Sequence, residues 1–145
     1  MNSDGSAYTL LHVFGTNSML GLNPDDAPVE ARDGALYGTT HNGGSGSVGT
    51  IFRLTKQGDS CTVLHHFASF TGDGYGPYAG LVEGTDLALY GVTYSGGVYQ
   101  YGTVFRITTN GGDYQILHDF GSGSDGASGN YLLPARQNNR CSTQD

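Results

Sequence analysis

The chain has 145 residues, which suits one domain of ordinary size, and 25 of them are glycine. Glycine at that level without a G-X-Y period excludes collagen and fits many short strands joined by tight turns. A formal net charge of −7 argues against nucleic acid, which asks for a basic stripe, and against an anionic membrane surface, and it leans towards divalent cations.

Taken along the chain, MNSDGSAYTL has neither the basic region nor the apolar run of a signal peptide, and no segment is apolar enough to span a bilayer. The first strand signal is YTLLHVF (8–14). An acidic loop with Asp25 and Asp26 leads to a second group of strands, with ALYGTTHNGG (35–44), GTIFRLTKQG (49–58) and CTVLHHF (61–67). The loop TGDGYG, with Asp73, leads to a third group: AGLVEG (79–84), ALYGVTYS (88–95), GTVFRITT (102–109) and YQILHDF (114–120). A last Gly-Asp loop, GSDGASG with Asp125, precedes one more strand signal at about 130–137. No helical periodicity of useful length appears.

The second and third groups are copies 53 residues apart, as Tyr37 and Tyr90, Phe52 and Phe105, and Arg53 and Arg106 illustrate. The motif LHxF occurs three times at that spacing and carries His12, His65 and His118. Four short strands per recurring unit predict an all-β fold of β-propeller-type four-stranded blades, with a β-solenoid as the alternative. The expected domain is 8–137, with units at about 8–60, 61–113 and 114–137 (partial), between tails 1–7 and 138–145. Two full blades plus flanking strands cannot close a ring of about four to eight blades. The chain is therefore expected either to complete a ring as a homo-oligomer or to be part of a longer repeat protein.

The patterns LYGTT…GG…GTIFRLT and LYGVT…GG…GTVFRIT, each followed by LHxF, resemble the GloVer (Gloeo_Verruco) tandem-repeat family over roughly 8–134. The resemblance implies a β-rich, secreted or surface-located repeat protein and no single activity. SGNYLLPARQNN departs from the repeat pattern, which puts the completeness of the last blade in question. The chain is also similar to lactonases of N-acyl homoserine lactones built from such repeats. What that implies is hydrolysis of a small lactone or ester, with a carbohydrate- or surface-binding module as the competing reading.

Lactone hydrolysis asks for a base or a metal-bound water, plus stabilisation of an oxyanion. The repeated histidines read as structural, since catalysis rarely needs one group in every blade. Alternation would place Val63, His65 and Phe67 on one strand face. Positions that break the repeat are the better catalytic candidates: His66, which corresponds to Val13 and Asp119; Asp119 itself; and His41, which corresponds to Tyr94. Asp25, Asp26, Asp73 and Asp125 lie in blade-to-blade loops and are the candidate ligands for Ca²⁺, although Asp-Gly is also ordinary turn chemistry. Tyr37, Tyr90, Tyr94, Tyr99 and Tyr101 are candidates for stacking on sugar rings. Cys61 and Cys141 fit either a disulfide of an exported chain or two free thiols.

Overall fold

The computed structural model describes residues 8–121 and 123. It contains two antiparallel four-stranded meanders. The first is formed by β1 (Val29–Glu30), β2 (Leu36–Thr40), β3 (Thr50–Leu54) and β4 (Cys61–His66), in that order. A small pair follows, β5 (Gly74–Tyr75) with β8 (Ser95–Gly96). The second meander is formed by β6 (Val82–Glu83), β7 (Ala88–Val92), β9 (Thr103–Thr108) and β10 (Tyr114–Asp119). The strands fall where alternating β-branched and aromatic residues run between Gly, Asp and Asn turns.

The repeat of sequence is a repeat of contacts. In the first unit Thr40 Oγ1 lies 2.9 Å from Thr50 Oγ1, and in the second Thr93 Oγ1 lies 2.9 Å from Thr103 Oγ1. Gly21 and Gly74 pack against these pairs. A Cβ on Gly21 would lie 2.6 Å from Thr40 Cγ2, and one on Gly74 would lie 2.8 Å from Thr103 Oγ1. Glycine is required at both places by close approach.

The core lies between the two meanders. Ala31, Ala35, Tyr37, Ile51 and Phe67 meet Leu81, Leu89, Phe105 and Ile107, all buried. Fully burying each large side chain contributes roughly 1.5–3 kcal/mol. Polar contacts cross the same junction. The Tyr37 hydroxyl oxygen lies 3.3 Å from the Thr109 carbonyl oxygen, and the Glu83 carboxylate accepts the Arg32 N–H at 3.1 and 3.2 Å. The two antiparallel sheets thus pack on one another across a shared core, and no closed ring is present among the described residues.

Two expectations change. Residues 8–14 form no strand, because no antiparallel neighbour lies beside them among the described residues. The strand expected at 130–137 lies outside the described residues. The alternation Val63, His65, Phe67 also fails. Ile51 pairs with His65 while its neighbour Phe52 pairs with Val63, so Leu64 is an extra, bulged residue. Ile51 and Phe52 face opposite ways, and they carry His65 and Val63 to opposite faces. β10 repeats the shift between Ile116 and His118. Among the described residues no helix is long and apolar enough to cross a membrane.

Candidate functional site

The bulge turns His65 into the junction between the sheets, where its ring stacks on Tyr114 at 3.7 Å and 12°. Asp73 is 0% exposed and lies beneath both. Its Oδ2 is 3.0 Å from His65 Nε2 and accepts the Ser69 N–H at 3.1 Å and the Ser69 hydroxyl at 3.3 Å. Its Oδ1 accepts the Gly74 N–H at 2.8 Å and the Tyr114 hydroxyl at 2.9 Å. Burial pushes the Asp73 carboxyl up. The hydrogen bond and charge of His65, with the Ser69 and Tyr114 donors, more than offset this and hold it below the usual carboxylate range. Burial, reinforced by the Asp73 charge, pushes the Tyr114 hydroxyl far above the ordinary phenol range. This buried network ties the two sheets together.

The first junction, where residues 8–21 pack on the first sheet, lacks it. Its counterparts of Asp73 and Tyr114, 53 residues earlier, are Leu20 and Cys61. Correspondingly, His12 Nε2 is buried with no partner among the described residues. Cys61 is half-buried with no disulfide partner among the described residues, burial disfavours its ionisation, and Cys141 lies outside the described residues.

His66 and Asp119 turn out to share one task. His66 Nδ1 accepts the Ser45 N–H at 3.2 Å, and Asp119 Oδ1 accepts the Val98 N–H at 2.9 Å. Ser45 and Val98 are themselves 53 residues apart, each just past a Gly-Gly pair. Burial and then the charge of His65 lower the His66 pKa, which keeps its ring neutral. A neutral imidazole has one lone pair, and here the Ser45 N–H takes it.

His41 is placed differently. Its ring lies against exposed Tyr78 at 4.2 Å and 31°, and Tyr94 meets the same Tyr78 edge-on at 5.3 Å. Nδ1 of His41 is buried with no partner among the described residues, packed where a Cβ on Gly76 would be 3.2 Å away. The His41 N–H bonds the Asn23 carbonyl at 3.0 Å, which brings the loop carrying Asp25 and Asp26 to the same rim. Asp26 ties that loop to the next, since its Oδ2 accepts the Gly80 N–H at 2.7 Å. The backbone at His41 is thus tied to the loop that carries Asp25 and Asp26, while the Asp26 carboxylate itself is spent on backbone N–H groups.

The residues expected to bind calcium do not converge among the described residues. Asp73 is a buried hub spent on five donors, and both oxygens of Asp26 accept backbone N–H groups. Asp25 is exposed, and Asp125 lies outside the described residues. No three His, Cys, Asp or Glu side chains gather there as a metal's ligands, whereas Ca²⁺ takes about six to eight oxygens. The present residues do not fit the ion by themselves.

A family model of the Gloeobacter/Verrucomicrobia repeat matches residues 1–143. The chain belongs to this family. No curated protein and no solved structure matches it. In this member of the Gloeobacter/Verrucomicrobia repeat family, motif residues build the frame: Tyr37 donates to Asp33 at 2.7 Å and accepts from Arg53 Nε at 3.1 Å, and in the second unit Tyr90 donates to Asp86 at 3.0 Å while Arg106 Nε donates to the same carboxylate at 3.3 Å. Tyr78 and Tyr114 were not singled out as site residues from the sequence. At the offset of 53 they stand against Asp25 and Cys61, and Tyr131 and Tyr8 match them in the remaining copies, so the sequence signal is a change at 25 and 61.

Proposed function

We propose that this chain is a hydrolase that opens a small lactone or ester, with N-acyl homoserine lactones as the substrate class, at the rim where His41 and Tyr78 meet. The observation that carries the reading is His41, a repeat-breaking imidazole whose buried Nδ1 has no partner among the described residues, held against an exposed aromatic ring. With its proton on Nδ1, the ring offers Nε2 as a base. Water then attacks the lactone carbonyl, its proton passes to Nε2 and on to the leaving ring oxygen, and the product is the substrate plus one water. Tyr78 supplies an apolar face for the ring or acyl chain. The resemblance to lactonases built from such repeats supports the substrate class.

A second reading, sugar binding without catalysis, is favoured by Tyr78 flanked by Tyr94, with Tyr99 61% exposed nearby in sequence. Product mass separates the two. Lactone opening adds one water, whereas a binding module leaves the lactone intact and retains sugars on an array. Parallel assays with and without chelator decide whether calcium takes part.

A further inference from the structure

We propose that Asp26 is a positioning residue, which fixes the ring of Tyr78 against the ring of His41. This role rests on His41 acting as the base of the proposed hydrolysis, and it supplies the group that holds base and platform in register. Short links close a circuit around the pair. The His41 N–H donates to the Asn23 carbonyl at 3.0 Å. Asn23 is three residues from Asp26, whose Oδ2 accepts the Gly80 N–H at 2.7 Å. Gly80 is two residues from Tyr78, whose ring returns to His41 at 4.2 Å and 31°. Oδ1 of Asp26 accepts the Ala27 N–H at 2.7 Å, so the carboxylate is held from both sides. Hydrogen bonds to an ionised carboxylate at this length are charge-assisted and roughly twice as strong as neutral ones.

The backbone link of the circuit recurs one repeat later, where the Tyr94 N–H donates to the Gly76 carbonyl at 3.1 Å. The side-chain link has no counterpart there, because Ala79 stands 53 residues from Asp26. The unrepeated carboxylate therefore falls beside the unrepeated imidazole. Gly80 is fitted to it, since a Cβ there would lie 2.9 Å from Asp26 Oδ2 and 3.3 Å from its Cγ. Gly80 has no positive φ, so alanine at this position meets the carboxylate without straining the backbone. The Thr39 hydroxyl donates to the Ala79 carbonyl at 3.4 Å, which leaves the loop one anchor when the carboxylate is removed. Asp26 is exposed, and its removal leaves the core between the sheets intact.

The test uses the full chain and two readouts, in wild type, Asp26→Ala, Asp26→Asn, Gly80→Ala and Tyr78→Leu. The first is the NMR shift of the His41 ring protons at fixed pH, assigned by their loss in His41→Tyr. Stacking on Tyr78 moves these shifts, and Tyr78→Leu gives their values without it. The second is kcat and KM for lactone opening. Asp26→Ala and Gly80→Ala should each carry the His41 shifts most of the way to the Tyr78→Leu values. Each should lower kcat about tenfold or more and leave KM within about threefold, because a displaced base loses the reacting geometry. Asp26→Asn keeps a carbonyl oxygen for the Gly80 N–H and should lie nearer the wild type. Adding Gly80→Ala to Asp26→Ala should change nothing further, since both break one link. His41 shifts and kcat that stay at wild-type values in the folded single variants overturn the proposal, even where melting temperatures fall. A wild type without hydrolysis sets aside the hydrolase reading, and the shifts alone then decide: moved shifts uphold the positioning by Asp26, and unchanged shifts overturn it.

Discussion

His66 and Asp119, one repeat apart, accept the same backbone hydrogen bond, His66 from Ser45 and Asp119 from Val98. A position that changes residue type between repeats can therefore keep its task. The lone pair that would make His66 a base is directed at the Ser45 N–H, and Asp119 spends Oδ1 in the same way.

His66→Asp is accordingly expected to fold with a stability within about 1 kcal/mol of the wild type, because the second repeat already uses Asp there. Lactone hydrolysis should continue in this variant at close to the parent rate. Urea melts and product formation check both. A loss of hydrolysis with stability intact would return His66 to the reaction.

His41→Tyr installs the residue that the second repeat carries at that position, Tyr94. The fold should accept it, while hydrolysis should fall by about 100-fold or more, in line with removal of a general base. Equal rates in the two proteins would remove His41 from the proposed mechanism. Absence of any product from the wild type would instead set the hydrolase reading aside.

Asp73→Ala leaves His65, Ser69, Gly74 and Tyr114 facing a void where a buried carboxylate stood. Breaking such a buried charged network lowers stability by about 3–5 kcal/mol. Tyr114→Phe removes one of the five donors and should lower it by about 1–3 kcal/mol. Chemical denaturation measures both. A smaller effect for Asp73→Ala than for Tyr114→Phe would contradict the assignment of Asp73 as the hub.

The same network sets a pH window. The folded pKa of Asp73 is depressed, so its contribution is full above the ordinary carboxylate value of about 4 and is lost as pH falls through the folded value. The folded pKa of Tyr114 is raised, so its contribution is full below the ordinary phenol value of about 10 and is lost as pH rises towards the folded value. Stability should be flat between these limits as far as this pair is concerned. In Tyr114→Phe the alkaline loss should shrink, which denaturation at pH above about 10 would reveal.

The repeat, the all-β class and the strands of both meanders were legible in the sequence, because period-2 runs bounded by glycine turns were written twice. The face assignment of His65 was not. A bulge adds Leu64 without changing composition, and only the pairing of Ile51 with His65 exposes it. The segment 8–14 carried a true strand signal, yet a strand also needs a neighbour to pair with. His41 stood out in the sequence as a repeat-breaker, and Asp25 and Asp26 as carboxylates of a connecting loop. Asp73 was found for the wrong surroundings, since a carboxylate in a Gly-rich loop reads as a surface turn until Tyr114 and His65 are seen to bury it.

The two junctions differ by a few residues, and that difference can be rewritten. At the first, His12 Nε2 is buried without a partner among the described residues, while its counterpart His65 has Asp73. Leu20 occupies the position corresponding to Asp73, and the adjacent Gly21 packs on Thr40 and Thr50 as Gly74 packs on Thr93 and Thr103. Leu20→Asp should therefore present a carboxylate to His12, and adding Cys61→Tyr should bury it beneath a stacked ring. A hydrogen bond to a charged group contributes about 1.5–3 kcal/mol, so the double variant should be more stable than the parent by an amount of that order, less the desolvation of the new carboxylate. Leu20→Asp alone should gain less, because without the tyrosine the charge lacks its hydroxyl donor. Urea denaturation of parent, single and double variants decides the matter. A double variant no more stable than the parent would show that the 3₁₀ turn Ser18–Leu20 holds position 20 away from His12, and that the second junction's lock depends on the backbone of its own loop.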